Sequence, residues 1–346
     1  MWGCILLMNV QKQFDQALND TVEEWKKREQ VEGVYVFGSY AAGIATIYSD
    51  LDICIVWKGS EAPVRLLAEH KGVRIDMIFL STRQIEGVIS GQIQDPFRIA
   101  EVIGILDDAD VVYDSDGSLR EWQEVAADYR WSESIIEKTK REAIQSLEHA
   151  EIYVDKDDTE SAVNELRNGL FDLGRVIVMK NNEFGIIRPS EVLAEVRMLD
   201  PIAYPLFLRT FKLKGMEEED VLAILDDLED WLTRAAERVD EEDVRNESIL
   251  FLSQAQREFY GAHNLAIAGD LELAVLELRL TIRKLGFALL ATEGLLLDDR
   301  GELVDVLRER EPDFFERIFV EYGAFDFQPR GVKRSISEAK FIANRV

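Results

Sequence analysis

Three acidic residues stand where they could act together. Asp50 and Asp52 flank Leu51 at the start of LDICIVW, an apolar run that predicts a β-strand. Because side chains alternate along a strand, the two carboxylates face the same side. Asp76 lies within VRIDMIFL, a second predicted strand, and reaches that face if the two strands are neighbours. Three such carboxylates repel one another unless a divalent cation neutralises them, and hard oxygen ligands of this kind suit Mg²⁺, or Mn²⁺ in its place.

A glycine–serine pair supplies the other half of a candidate site. Gly38 lets the backbone approach a ligand closely. Ser39 can offer its hydroxyl and its amide to a phosphate, and the start of a following short helix adds a favourable dipole. A phosphate-binding turn beside a carboxylate metal cluster is the machinery of in-line displacement at phosphorus.

The elements that must position these residues follow from the apolar pattern. An amphipathic helix is predicted over 10–29 and strands at VYVFG, LDICIVW, VRIDMIFL and ADVVYDSDG. RLLAEH and QDPFRIAEVIGIL predict helices between these strands. Strands and helices that alternate over about 120 residues indicate one small domain, which we place at residues 1–130.

The pattern changes after residue 130, where no convincing strand follows. Long amphipathic segments run over 132–156, 159–181, 217–239, 244–268 and 271–292. Nine of 17 positions are identical between DTESAVNELRNGLFDLG (158–174) and DLELAVLELRLTIRKLG (270–286), aligned without a gap at a constant offset. We therefore predict two helical bundle repeats, over 131–243 and 244–346. The alternative is a chance match between helices rich in Leu, Glu and Arg.

The composition of the chain limits which kinds of partner it can bind. The chain has 346 residues and a formal net charge of −27, which makes an extended nucleic-acid interface unlikely and favours cationic ligands. No apolar run is long enough to span a membrane. Two cysteines without zinc spacing fit a reducing cytoplasm, the expected location. Met1 and Met8 are both candidate start residues.

The motif G-S-x10-D-x-D, followed by a third Asp on a later strand, resembles the nucleotidyltransferase superfamily of the DNA polymerase β type, in particular its minimal and antibiotic-modifying members. The resemblance covers roughly residues 9–130. It implies an α+β domain with a mixed sheet and flanking helices, followed here by all-α helical bundle repeats. Gly38 and Ser39 would bind the triphosphate. Asp50, Asp52 and Asp76 would form the catalytic and metal site, with Asp76 also a candidate general base.

Basic partners for a triphosphate are not marked by any motif. Arg74, Arg83 and Arg98 lie in the same domain, but we interpret each as an ordinary solvated residue.

The helical part resembles HEPN-type bundles, which accompany minimal nucleotidyltransferases. HEPN ribonucleases carry an Arg followed four to six residues later by His. No His follows the repeated Arg167 or Arg279 at that spacing, so RNA cleavage at the repeated positions is disfavoured. The repeated residues Glu165, Arg167, Glu277 and Arg279 are interpreted as charges on helix faces. The helical part would shape an acceptor pocket or form a homodimer through exposed apolar faces.

The resulting hypothesis is a Mg²⁺-dependent nucleotidyltransferase that moves an NMP, with AMP from ATP as the expected case, onto a hydroxyl. The acceptor would be a cationic small molecule or a protein side chain. The alternative is a catalytically silent nucleotide-binding or regulatory protein that acts through its helical repeats. A third option, nucleic-acid tailing, is disfavoured by the net charge.

Overall fold

A computed structural model describes residues 2–43, 45, 49–59, 62–63, 65–241, 246–297 and 302–346. The chain forms two compact units, Met1–Trp131 and Ser132–Val346. The boundary predicted between 243 and 244 falls outside the described residues, and the scheme of two separate helical domains stays a prediction. In the part of the chain that the structure describes, no helix is long and apolar enough to cross a membrane.

A five-stranded mixed sheet forms the centre of the first unit, in the order β3-β4-β2-β1-β5. The strands are β1 Val31–Phe37, β2 Leu51–Trp57, β3 Arg65–His70, β4 Val73–Ser81 and β5 Asp110–Asp114. The helices are α1 Trp2–Trp25, α2 Gly38–Ala41, α3 Thr82–Ile89, α4 Pro96–Asp108 and α5 Ser118–Ala127. Strands β2 and β4 pair in parallel, whereas the other neighbours are antiparallel. The predicted α+β class, with a mixed sheet followed by a helical region, is confirmed.

The core of this unit explains which face of the sheet is left for chemistry. Phe14, Leu18 and Val22 of α1 pack against alternate residues of β2, including Leu51 and Ile53. Alternation sends Asp52 and the buried, free thiol of Cys54 to the opposite face. On that side the Tyr35 hydroxyl donates a 2.8 Å hydrogen bond to the Leu119 carbonyl at the start of α5. The carboxylate-bearing face is therefore the one that α1 does not cover.

The helix predicted at RLLAEH is wrong, because this segment is the edge strand β3. Lys71 and Gly72 both have positive φ, 54° and 79°, as in the tight turns that close two-residue hairpins. This turn folds β3 back onto β4 in antiparallel register. Five of its six residues are exposed, so no alternation of buried and exposed positions marks the strand in the sequence.

The second unit is helical throughout its described residues. Its helices are α6 Glu133–Asp155, α7 Thr159–Lys180, α8 Pro189–Leu199, α9 Tyr204–Thr210, α10 Glu218–Glu241, α11 Asn246–Ala268, α12 Leu271–Thr292, α13 Leu303–Arg310, α14 Pro312–Phe314, which continues as a π-helix over Phe315–Val320, and α15 Pro329–Arg345.

The sequence repeat is also a repeat of structure. Helices α7 and α12 begin and end at positions related by the offset of the sequence repeat, and the side chains of Asp158 and Asp270 cap them in the same way. Residues with positive φ recur at the same offset, namely Asp157 and Gly269, Asn182 and Gly294, and Lys212 and Ala324. The constant offset therefore relates two copies of one backbone path, which we call the first and second repeat.

The repeats exchange their last helices. Helix α10 ends the first repeat but packs against α11 and α12 of the second, while α15 ends the second and packs against α6 and α7 of the first. Each repeat therefore completes the core of the other, which explains why residues 132–346 form one compact unit.

The interpretation of the repeated charges as exposed on helix faces is wrong. Glu165, Arg167, Glu277 and Arg279 are all buried, with between 1% and 7% of their surface exposed. Arg167 and Arg279 are covered by carbonyls of residues 210–212 and 322–324. Glu165 lies near His149 of α6, and Glu277 lies beside Glu258 of α11. The local sequence pattern does not show these long-range contacts.

The buried carboxyl of Glu277 leads to a prediction about how stability depends on pH. Burial and the neighbouring Glu258 raise the pKa of Glu277 from 4.5 to about 9. Between these values the folded chain keeps a proton that the unfolded chain has lost, so the free energy of unfolding falls as pH rises, by at most about 1.4 kcal/mol per pH unit. We expect Glu277→Gln to flatten this slope in urea unfolding between pH 6 and pH 9. The exposed control Glu293→Gln should keep it, and equal slopes in all three proteins would contradict the assignment.

Candidate active site

The strand register brings two of the predicted carboxylates side by side. Asp52 of β2 is the direct partner of Asp76 of β4 in the parallel pair. Asp50 precedes β2 by one residue and lies two positions before Asp52. The two strands are neighbours, which is the condition under which Asp76 shares a face with Asp52.

The glycine of the Gly-Ser turn lies against this site. Gly38 follows β1, has a φ of +70°, and starts α2. A Cβ atom on Gly38 would come closer than 3.0 Å to the Asp52 carboxylate, so only glycine fits without a shift. Ser39 follows on α2 and is half-buried. Because α2 is a single turn, the dipole it offers a phosphate is smaller than that of a long helix.

Two arginines already contact the acidic face. Arg65 of β3 donates from Nε to Asp76 Oδ1 at 2.7 Å and from Nη2 to Asp76 Oδ2, a bidentate pair. Arg74 of β4 places Nε 2.7 Å from Asp50 Oδ1. Arg74 was expected to be merely solvated, and it is exposed but paired.

Arg65 was missed from the sequence because it lies in the segment predicted as a helix. In the hairpin, Arg65 pairs with Ile78 and is therefore a diagonal neighbour of Asp76, within reach of a long side chain. A hairpin turn at Lys71 and Gly72 was the signal that could have found it.

The electrostatics show that the three carboxylates act on one region. The hydrogen bond that Arg65 donates to Asp76 is the main cause that raises the pKa of Arg65, and the charges of Asp76, Asp52 and Asp50 add to it. Burial raises the pKa of Asp50, while Arg74 opposes that shift and Asp76 reinforces it. Negative charge is therefore concentrated on this face, and the guanidinium groups of Arg65 and Arg74 partly neutralise it.

The carboxylate oxygens of Asp50, Asp52 and Asp76 are of the chemical type that binds a divalent cation. Across the described ranges, no three His, Cys, Asp or Glu side chains are already gathered closely enough to hold a metal ion. Asp50, Asp52 and Asp76 nevertheless offer oxygen ligands from adjacent positions on one face, as Mg²⁺ requires. A metal that binds Asp76 in place of Arg65 has to displace that guanidinium.

A cleft adjoins the carboxylates on the side of the hairpin. It has a volume of about 310 Å³ and is lined by Asp50, Asp76 and Arg74, together with Leu67 and Glu69. A space of this size next to the acidic face could receive part of a small ligand.

Comparison with known proteins supports the class of this domain. Residues 18–98 match the family model described as a nucleotidyltransferase domain, so a nucleotidyltransferase domain lies in the N-terminal unit. The matched range includes Gly38, Ser39, Asp50, Asp52 and Asp76.

The chain is also distantly similar in structure to solved proteins. A crystal structure of a nucleotidyltransferase-like protein from Exiguobacterium sibiricum aligns over 95% of this chain and 91% of that chain, with 11% identity and a TM-score of 0.39. A likeness at that score carries no argument about function. No curated protein matches the chain. The resemblance of the helical unit to HEPN bundles stays a prediction.

Proposed function

We propose that the chain is a Mg²⁺- or Mn²⁺-dependent nucleotidyltransferase that moves an NMP, with AMP from ATP as the expected case, onto a hydroxyl of a small-molecule or protein acceptor. The observation that carries the proposal is the parallel register of Asp52 and Asp76 beside Gly38, within the matched domain. The net charge of −27 favours a cationic acceptor.

Each residue has a role in this reaction. Gly38 lets the backbone approach the triphosphate, and Ser39 supplies hydrogen-bond donors to it. Asp50, Asp52 and Asp76 would hold the divalent ion, which when bound offsets charge on the phosphate oxygens. The acceptor oxygen bonds to the α-phosphorus, the bond to pyrophosphate breaks, and Asp76 is the candidate base for the hydroxyl proton.

The direct test is turnover with purified full-length protein. Incubation with labelled ATP, GTP, CTP or UTP and Mg²⁺ or Mn²⁺ should release pyrophosphate in the presence of an accepted hydroxyl compound. Mass spectrometry of amine-rich small molecules, and of the protein itself, would identify the labelled acceptor. Absence of transfer to every acceptor tested, together with no nucleotide binding, would overturn the proposal.

One observation favours the alternative of a silent nucleotide-binding or regulatory protein. Arg65 and Arg74 hold two of the three carboxylates. If these ion pairs persist in the presence of metal and nucleotide, the site cannot assemble, and the helical repeats would carry the function.

Metal binding by an arginine variant separates the two readings. We expect Arg65→Gln to bind Mn²⁺ alone about tenfold more tightly than the native protein, because a competing cation is removed from Asp76. Titration calorimetry or Mn²⁺ electron paramagnetic resonance gives the dissociation constants. The exposed control Arg83→Gln should bind as the native protein does. Failure of both the native protein and Arg65→Gln to bind Mn²⁺ would support the silent alternative.

A further inference from the structure

The helical unit contains a small cavity where the two repeats meet. Its volume is about 30 Å³. Three arginines line it, Arg167, Arg279 and Arg283, and most of the remaining wall is apolar, with four phenylalanine side chains. Such a concentration of buried positive charge is costly unless negative charge balances it.

Two of these arginines hold the repeats together in a reciprocal way. Arg167 and Arg279 occupy equivalent positions in α7 and α12, and each donates to one carbonyl of its own repeat and two of the other. Arg167 donates to the carbonyls of Thr210 at 3.0 Å, Gly323 at 2.7 Å and Ala324 at 2.9 Å. Arg279 donates to those of Phe211 at 2.6 Å, Lys212 at 3.0 Å and Tyr322.

The carbonyls do not balance the charge. They lie at the ends of two short helical segments, and a helix C-terminus is equivalent to about half a negative charge. Two such ends supply about one negative charge against the two guanidinium groups of Arg167 and Arg279. Among the described residues that line the cavity there is no Asp or Glu.

The acidic residue that acts on this pair from outside has another partner. Burial lowers the pKa of Arg279 to about 10, and the charge of Asp326 opposes this shift. The Asp326 carboxylate is exposed, however, and pairs with Lys212. Burial, followed by the charges of Arg279 and Arg283, lowers the pKa of Arg167 well below its usual value. Arg283 adds a third guanidinium and donates to the Asn168 side chain at 2.8 Å. Arg167 and Arg279 therefore retain a positive excess.

We propose that the cavity binds one monatomic anion of the size of chloride, held by the guanidinium groups of Arg167 and Arg279. Each guanidinium has five N–H donors, and the carbonyl bonds above use three on Arg167 and three on Arg279. A volume of about 30 Å³ exceeds the roughly 10–15 Å³ that one water needs, but it excludes a phosphate or nucleotide. The Arg167 guanidinium also stacks on the rings of Phe211 and Phe325, at 5.3 Å and 4.7 Å, which fixes its position.

The test uses the full chain at constant ionic strength, with chloride exchanged for gluconate. Chloride should raise the melting temperature of the helical transition in a saturable way, by about 3–6 °C at tenfold excess over the dissociation constant. Bromide should raise the melting temperature as chloride does, whereas sulfate should not. Equal melting temperatures in chloride and gluconate would overturn the proposal.

A variant and a diffraction measurement make the test specific. Arg279→Gln should lose the chloride response, whereas Arg175→Gln, a control on α7 whose arginine pairs with Asp172 outside the cavity, should keep it. If Arg279→Gln does not fold, crystals of the native protein soaked in bromide decide the matter. An anomalous peak between Arg167 and Arg279 is expected, and a water in its place would overturn the assignment.

Discussion

Replacement of Asp50 and Asp52 together by asparagine is expected to reduce nucleotide transfer by about a thousandfold or more. Neutral amides remove two of the three anionic ligands, and a bound metal ion supplies a large share of transition-state stabilisation in such reactions. A loss of about 1.4 kcal/mol of that stabilisation lowers the rate tenfold, so a loss three times as large gives the expected effect. Pyrophosphate release under saturating nucleotide measures it, and Mn²⁺ binding should weaken in parallel.

The fold should survive this double substitution. Asp50 and Arg74 are both accessible to solvent, and an ion pair of that kind contributes at most about 1 kcal/mol to stability. A matched control is Asp20→Asn, which removes an exposed carboxylate paired with Lys71 away from the site and should leave turnover unchanged. Full turnover by the double variant would show that the metal-site assignment is wrong.

The second large effect is expected at Gly38. Gly38→Ala places a methyl group against the Asp52 carboxylate, so either Asp52 or the turn must move. Displacement of a catalytic group by about 1 Å can cost a hundredfold in rate. We therefore expect turnover to fall by about a hundredfold, beyond a loss of about 1–2 kcal/mol in stability from the positive φ.

Gly91→Ala is a control that separates the effect of the contact with Asp52 from the cost of placing alanine at a positive φ. Gly91 has a φ of +73°, close to that of Gly38, but no atom lies within 4 Å of a Cβ built there. Both variants should lose similar stability in urea unfolding, while only Gly38→Ala should lose turnover. Equal turnover in the two variants would mean that Gly38 is a turn residue without a role in the site.

The ion pairs made by Arg65 and Arg74 weaken one argument for a metal ion at the acidic face. Mutual repulsion among the three carboxylates was the reason to expect a metal ion, yet Arg65 and Arg74 relieve much of that repulsion without one. A metal ion therefore has to compete with these guanidinium groups for the carboxylates. This competition makes the affinity for Mn²⁺ of the native protein and Arg65→Gln the most informative pair of measurements.

Local pattern was enough to identify the candidate site and the repeat. Alternation along one strand placed Asp50 and Asp52 on a common face, and the spacing from Gly38 set the turn before them, because both depend on residues close in sequence. The constant offset between the two repeats was likewise visible without a structure, because equivalent backbone paths keep equivalent side chains.

Only the tertiary structure decided which segments meet. Arg65 reaches Asp76 because an exposed segment folds back as an edge strand, and exposed strands carry no apolar alternation to reveal them. Arg167 and Arg279 are buried because segments far along the chain, at the end of α9 and after the π-helix, cover them with backbone carbonyls. Charges that look solvated on an isolated helix thereby become the walls of a cavity. Burial and ion pairing depend on long-range packing, which the periodicity of a single segment cannot encode.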